Sequence, residues 1–302
     1  MTGHPETKRL TVAVATCGRP QSLARCLKAI GEQTRAPDQL IVVDQAASAE
    51  AREAIRASGL RIEYHEQPKL GLSASRNLAL AHAEGAVLGV TDDDCFPDPD
   101  WAAAIVDAFD AESPPSALTG PILAPEGDVP AASHAISLRT SRDTLDFCNR
   151  TIPWFVGSGG NFAALVERLR AIGGWDERLG AGSPGMAAED CDLIDRLLKA
   201  GERIRYEGRA VVRHDWQTYD RRMATRWSYG FGIGALCGLR LADHDFFALR
   251  MFGAYSRRNA GKLVQELVRL NWSNAGERFN ALAGLLPGCV YGLRMPSRPR
   301  NP

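Results

Sequence analysis

The period of apolar and polar positions along the chain changes several times, and the first ninety residues alternate most clearly. Apolar strands are expected at "LTVAVAT" (10–16) and "QLIVVD" (39–44), with a helix from about residue 20 to 33 between them. A helix near 48–58, a short strand "RIEY" (61–64), a helix over 73–84 and a strand ending at residue 92 continue the series. Strands alternating with helical stretches predict βαβ units, a mostly parallel sheet and right-handed crossovers, hence an α/β fold.

The middle of the chain has a different texture. Residues 112–130 are rich in Pro and Gly and 139–152 are polar, which predicts a mobile connection over the site rather than more sheet. Beyond it the pattern gives a short strand through Phe162, a helix over 165–172, a Gly-rich loop over 173–187 and a helix over 188–200. Strands are expected near 203–206 and 209–213. From 217 onward the chain reads as helices rich in Arg, Trp and Phe, so 1–216 and 217–302 are taken as two regions.

Composition adds bounds. The 302 residues, 45% hydrophobic and 24% charged, suffice for one large or two modest cores. Net charge is zero, yet residues 217–302 hold 13 Lys/Arg against 5 Asp/Glu, so this part carries +8 and the remainder −8. Seven scattered cysteines without CxxC spacing read as reduced thiols in a cytoplasmic protein. The opening "MTGHPETKRL" lacks the apolar core of a signal peptide, and the uncharged runs 227–239 and 279–293 are short for a spanning helix.

Open α/β sheets bind ligands outside the carboxyl ends of their strands. Polar groups fall there at Thr16 to Arg19, at Asp44 and at Asp92 to Asp94. The last belong to five aspartates within nine residues, "DDDCFPDPD", and close-packed carboxylates of this kind suit a hard divalent cation shared with substrate phosphates. An EF-hand is excluded, because Phe96 and Pro97 stand where that loop needs an oxygen ligand and a glycine. The plainer reading is an acidic turn with Asp98 capping a helix that starts near Pro99. Asp44 could accept hydrogen bonds from a ribose or base, or simply cap a turn.

"KLGLSASRN" offers Ser73 as an N-cap, with Arg76 and Asn77 in the first helical turn; Arg76 either meets a phosphate or faces water. "GSGGN" (157–161) permits close backbone approach to a ligand but lacks phosphate-loop spacing. Glu189 and Asp190 open a helix that buries Leu193, Ile194, Leu197 and Leu198, and the field at its N-terminus suits carboxylates, including one acting as a general base. His214 ends the strand "RAVVRH" and reads as structural or as a ligand.

In this order the motifs "VAVATCGRPQSLARCLKAIGEQT", "IVVDQAAS", "GLSASRN", "LGVTDDDC", "GSGGNFA", "GGWDERLG" and "AEDCDLIDRLLKAGERI" resemble a family 2 glycosyltransferase with the GT-A fold over about residues 9–216. The resemblance implies Mn²⁺ or Mg²⁺ held by Asp94 and His214, and a nucleoside-diphosphate sugar bound by Thr16, Arg19, Asp44, Arg76, Asp92, Asp93 and Asn161. The strand's alternation turns Asp93 away from the metal. Asp190 would be the catalytic base, and Gly159, Gly160, Trp175, Asp176 and Glu189 would shape the sugar and acceptor pocket. Gln45 and Ala46-Ala47 stand where the family usually has a second acid, Asn or Gly after the "VVD" aspartate, which leaves the nucleotide open. Met223 in "RMATRW" replaces the Gln of the QxxRW signature, which implies single-sugar transfer rather than polymer synthesis.

Two other readings compete. Nucleotidyl transfer on a related sheet would use the same acids but wants a Gly-rich basic loop after the first strand, where only Gly18 and Arg19 stand. A non-catalytic nucleotide-sugar-binding module would keep the fold without turnover. The basic, aromatic helices after 217 suit peripheral contact with the inner face of a membrane, or else a packing or homodimer surface. No nucleic-acid module is recognisable.

Overall fold

The computed structural model describes residues 7–130, 133–134, 136 and 138–296. The N-terminal and basic-tail readings thus fall partly on residues 1–6 and 297–302, outside the described residues. The chain runs β1 (Leu10–Thr16), α1 (Pro20–Gly31), β2 (Gln39–Asp44), α2 (Ala49–Ser58), β3 (Glu63–Glu66), α3 (Leu72–His82) and β4 (Val87–Asp92). It continues through β5 (Cys95–Pro97), α4 (Trp101–Asp110), β6 (Ala117–Thr119), β7 (Ile122–Leu123), β8 (Ser133–His134) and β9 (Leu145–Phe147). A 3₁₀ turn at Pro153–Phe155 precedes β10 (Asn161–Leu165), α5 (Val166–Ala171), α6 (Glu189–Lys199), β11 (Ile204–Tyr206), β12 (Val212–His214) and β13 (Gln217–Thr218). Three long helices follow, α7 (Tyr219–Ala242), α8 (Phe247–Val268) and α9 (Trp272–Arg294).

Eight strands form the central sheet in the order β3-β2-β1-β4-β10-β6-β11-β9. The block β3-β2-β1-β4 is parallel, while β10 runs antiparallel to β4 and β6. The period of two in each strand loads both faces. Leu10, Val12, Val14, Leu40 and Val42 pack with Leu23 and Leu27 of α1 and Trp101, Ile105 and Phe109 of α4. Ala13, Ile41, Val43, Leu88 and Val90 pack with Ala79 and Leu80 of α3 and Leu193 and Leu197 of α6.

The middle of the chain departs from expectation. Residues 112–130 were expected to form only a connection, yet Ala117–Thr119 enters the sheet between β10 and β11, and Leu145–Phe147 adds its edge strand. Both segments are too short to show a period, and backbone pairing to β10 and β11 creates them. The strand expected at 61–64 lies at Glu63–Glu66. Gly71, at φ 145°, precedes α3 without any side-chain cap, and Ser73 Oγ instead donates to the Leu179 carbonyl at 2.7 Å. Asp98 is not a cap: α4 begins at Trp101, and Asp98 accepts from Arg213 Nε at 2.8 Å.

A third core lies where the long helices meet the sheet domain. Ile152, Leu179, Ala188 and Cys191 pack against Ile233, Leu236, Met251 and Leu285. α7 and α9 run parallel and touch backbone to backbone, because a β-carbon on Gly230, Gly234 or Gly238 would collide with the carbonyl oxygens of Ala281, Leu285 or Cys289. Gly284, Gly288 and Gly292 present the same gaps to Trp227, Phe231 and Ala235. Spaced four residues apart on each helix, these glycines form a small-residue seam of the kind that lets helices approach closely.

Candidate functional site

The site forms at the carboxyl ends of β1, β2 and β4, where parallel strands release their loops on one side of the sheet. Arg76, projecting from α3, is the centre of one half. Its guanidinium is nearly sealed, and donates from Nη1 to Glu189 Oε1 at 3.0 Å and from Nη2 to Asp92 Oδ1 at 2.9 Å and the Gly159 carbonyl at 3.2 Å. The expected wet-side alternative for Arg76 is therefore overturned: one planar fork joins β4, the glycine turn and α6. Burial, then the charge of Asp190, push the Glu189 carboxyl above the usual range, while Arg76 pulls it down. Glu189 is thus a buried partner of Arg76 and does not line an acceptor pocket.

Asp190 follows in the first turn of α6. Its Oδ2 accepts from the Gly159 N–H at 2.9 Å and its Oδ1 from the Cys191 N–H at 2.7 Å. The chain enters this helix through Met186 and Ala188, both in the left-handed region at φ 66° and 70°, a conformation that costs about 1–2 kcal/mol for a residue with a β-carbon. The strain sits directly before the acidic pair and fixes where it emerges. Glycine is required at 159, because a β-carbon there would lie 2.8 Å from Arg76 Nη1 and 3.0 Å from Asp190 Cβ. At Gly160 it would stand 3.2 Å from Asp92 Oδ2.

The other half gathers Asp93, Asp94, Arg19, His214 and Arg221. Asp93 points inward, accepts from Thr16 Oγ1 at 2.7 Å and pairs with Arg19, so it anchors the loop and is closed to a ligand. Burial pushes its carboxyl up to about 6 against the pull of Arg19 and the Thr16 hydroxyl. Asp94 pairs with Arg19 and, at 3.0 Å, with Arg221, and its Oδ1 lies 3.8 Å from His214 Nε2. Burial opposes ionisation here too, but His214, Arg19 and Arg221 hold the Asp94 carboxyl below the usual range.

The donor set fits a divalent cation. His214 Nδ1 lies 2.9 Å from the Asp215 carbonyl, which can only accept, so Nδ1 carries the proton and the lone pair of a neutral ring sits on Nε2, facing Asp94. Arg19 and Arg221 pair with Asp94 Oδ2, so a cation at Oδ1 and His214 Nε2 would have to share the carboxylate with them. Cys95 Sγ stands in the same cluster, but burial drives its thiol well above the usual range.

Several expected ligand contacts are consumed by the fold. Asn161 is buried with every polar group used: Oδ1 accepts from Trp101 Nε1 at 2.9 Å, and Nδ2 donates to the Pro121 and Ala210 carbonyls. Trp175 is core, edge-on to Phe162 at 6.3 Å. Asp176 is buried against Arg178, which donates to both its oxygens. Asp44 reaches the predicted edge but accepts from the Ala46 and Ser48 N–H groups and the Tyr64 hydroxyl. Arg221 was missed. Its signal was the basic "DRRMATRW" run, which reads as surface until β13 turns the first residues of α7 back onto Asp94. The seven cysteines are all unpaired, as expected.

A mostly parallel sheet with acids at its carboxyl edge and a carboxylate in the first turn of α6 is compatible with a glycosyltransferase, and the comparisons give the family. Residues 11–171 match glycosyl transferase family 2, and the chain belongs to that family. It is 31% identical over 192 residues to the pre-mycofactocin glycosyltransferase of Mycobacterium tuberculosis, covering 61% of this chain and 38% of that one, so it spans well under half of that relative's length. It is 26% identical over 216 residues to the O-antigen chain rhamnosyltransferase WbaN of Salmonella anatum, covering 69% of this chain and 66% of the relative. Its fold is similar, at a TM-score of 0.62 and 18% identity, to the mannosyltransferase PcManGT of Pyrobaculum calidifontis in complex with GDP-Man and Mn²⁺. That match covers 96% of this chain and 88% of the other, and the fold is GT-A.

Proposed function

We propose that this chain transfers one sugar from a nucleoside-diphosphate sugar to an acceptor hydroxyl with inversion at the anomeric carbon. The carrying observation is the Asp190 carboxylate, fixed by the Gly159 N–H at the mouth of the site that Arg76, Asp92 and Asp94 line. In the reaction the acceptor oxygen attacks the anomeric carbon as its proton passes to Asp190. The bond from that carbon to the diphosphate oxygen breaks with both electrons on the oxygen. Asp92, held by Arg76, serves the nucleotide-sugar; Asp94 and His214 would hold Mn²⁺ or Mg²⁺. Such a cation neutralises charge on the departing diphosphate. Mn²⁺ in the mannosyltransferase complex supports this assignment. The absent QxxRW glutamine supports single transfer.

The test is nucleoside diphosphate release from a panel of nucleotide-sugars with Mn²⁺. One donor should turn over, and chelation or Asp94→Asn should abolish the release. Cation-dependent binding of donors with no turnover of any acceptor would instead make the chain a binding module.

We further propose that the turn between α8 and α9 touches an anionic membrane surface. Val264, Val268, Leu270 and Trp272 are between 61% and 78% exposed there, on a region of net charge +8. Among the described residues no helix is long and apolar enough to cross a membrane. Because α7 to α9 share a core with the sheet domain, a Val268→Ser/Trp272→Ser variant is a cleaner probe than truncation. It should lose pelleting with anionic liposomes; a doubled mass in sedimentation without pelleting would assign the face to a dimer.

A further inference from the structure

α7, α8 and α9 meet in a concentration of positive charge that the donor site does not use. Arg222 and Arg226 stand one turn apart on α7, Arg258 and Lys262 one turn apart on α8, and Arg278 lies on α9. Glu277, fully buried, faces Arg222 at 2.7 Å and Arg226 at 3.5 Å, and neither contact is aligned as a hydrogen bond. The Nε atoms of Arg222, Arg226 and Arg278 are buried without a hydrogen-bond partner. Five cations therefore meet Glu277 and, near Lys262, Glu266, an excess of three positive charges. The cost of this repulsion is visible. Burial and then Arg278, Arg258 and Arg226 hold Lys262 below its usual range, and burial with Arg226, Arg222 and Arg258 lowers Arg278.

The cluster is joined to the start of α6 through two tyrosines. The Arg226 guanidinium lies over the Tyr229 ring, 6.0 Å from its centroid, and the charges of Glu189, Asp190 and Asp92 also act on the Tyr229 hydroxyl. Tyr255, on which Arg226, Arg258 and Arg278 all act, packs against the core that holds Cys191, the residue after Asp190. Guanidinium forks fit phosphate oxygens in pairs, and a phosphate or diphosphate brings enough negative charge to balance the excess.

We propose that Arg226, Arg258, Lys262 and Arg278 form a subsite, distinct from the donor diphosphate site, for a phosphate or diphosphate group carried by the acceptor. The inference rests on the transferase reading, since it assigns the acceptor side of Asp190. It makes the acceptor class a phosphorylated one, whether a soluble phosphoester or a lipid phosphate.

The experiment uses the full chain in chelator, so that no cation draws diphosphate to Asp94, and follows thermal stabilisation by inorganic pyrophosphate. Pyrophosphate should stabilise the wild type and Asp94→Asn alike. It should bind Arg258→Gln/Lys262→Gln at least about tenfold more weakly, the loss expected for charge-assisted hydrogen bonds. These two side chains make no ion pair among those described, so the variant should fold. In a second arm, phosphatidylcholine vesicles with and without phosphatidic acid are pelleted with both proteins. Phosphatidic-acid binding that the double variant loses, without stabilisation by pyrophosphate, assigns the phosphate to a lipid; response to both probes assigns it to the phosphate group whatever carries it. Equal stabilisation of the double variant, loss of the effect in Asp94→Asn, or no response to either probe overturns the subsite. Failure of the transferase reading appears elsewhere, as absence of Mn²⁺-dependent nucleotide binding in the wild type.

Discussion

The Gly159 N–H donates to Asp190 Oδ2 at 2.9 Å, and this bond ties the glycine turn to the first residues of α6. The other carboxylate oxygen, Oδ1, accepts from the Cys191 N–H at 2.7 Å, so the amide of Asn can keep only one of the two bonds. Asp190→Asn should therefore fold with a loss of about 1–2 kcal/mol for the bond given up, while kcat falls about 10²- to 10⁴-fold, the usual worth of a positioned base. Near-normal transfer by a stable variant would remove Asp190 from the role.

Arg76 and Glu189 form a buried pair, with side chains 3% and 11% exposed. Arg76→Ala leaves Glu189 without its counter-charge and should cost about 3–5 kcal/mol in urea denaturation. Arg76→Lys should not recover it, because an ammonium cannot reach Glu189, Asp92 and the Gly159 carbonyl together. Arg76→Met/Glu189→Gln should regain much of the loss, since it removes both charges.

Asp245 ties the start of α8 to the sheet domain, accepting from Arg150 Nη2 and Lys199 Nζ at 2.7 Å each. Burial works against its charge, yet these partners hold the carboxyl well below the usual range. A depressed folded pKa adds stability that is present above the unfolded value, near pH 3.9, and is lost as pH falls through the folded one. Asp245→Asn should thus be less stable than wild type by roughly 1–3 kcal/mol at pH 7, and the two unfolding curves should converge as pH drops below about 4.

Gly234 and Gly261 should respond oppositely to alanine. Gly234→Ala drives a β-carbon into the Leu285 carbonyl and should lose about 1–3 kcal/mol or more by chemical denaturation. Gly261, inside α8, has nothing within 4 Å of the same position, so Gly261→Ala should gain up to about 1 kcal/mol of helix propensity.

The sequence alone determined the half of the molecule built from long elements. Apolar runs at 10–16, 39–44 and 87–92 could only be buried strands, and helices between them force parallel neighbours, so the carboxyl-edge positions of Thr16, Asp44 and Asp92 to Asp94 followed. The α7–α9 seam was not read from the sequence, where the region showed only as basic and aromatic, although its glycines at 230, 234 and 238 and at 284, 288 and 292 recur every four residues.

Tertiary structure decided what each polar group is for. Asn161, Asp176 and Glu189 have the residue types of ligands, but burial obliges each to spend its hydrogen bonds on Trp101, Arg178 and Arg76. Asp93 and Asp94 are neighbours with opposite fates, because adjacent residues point to different sides of the loop; one meets Thr16, the other His214 and Arg221. Arg221 lies 127 residues from Asp94, and no local pattern carries information across that distance. Periodicity records which face of an element is dry, whereas a site is an encounter between elements, and only the packed chain brings that encounter about.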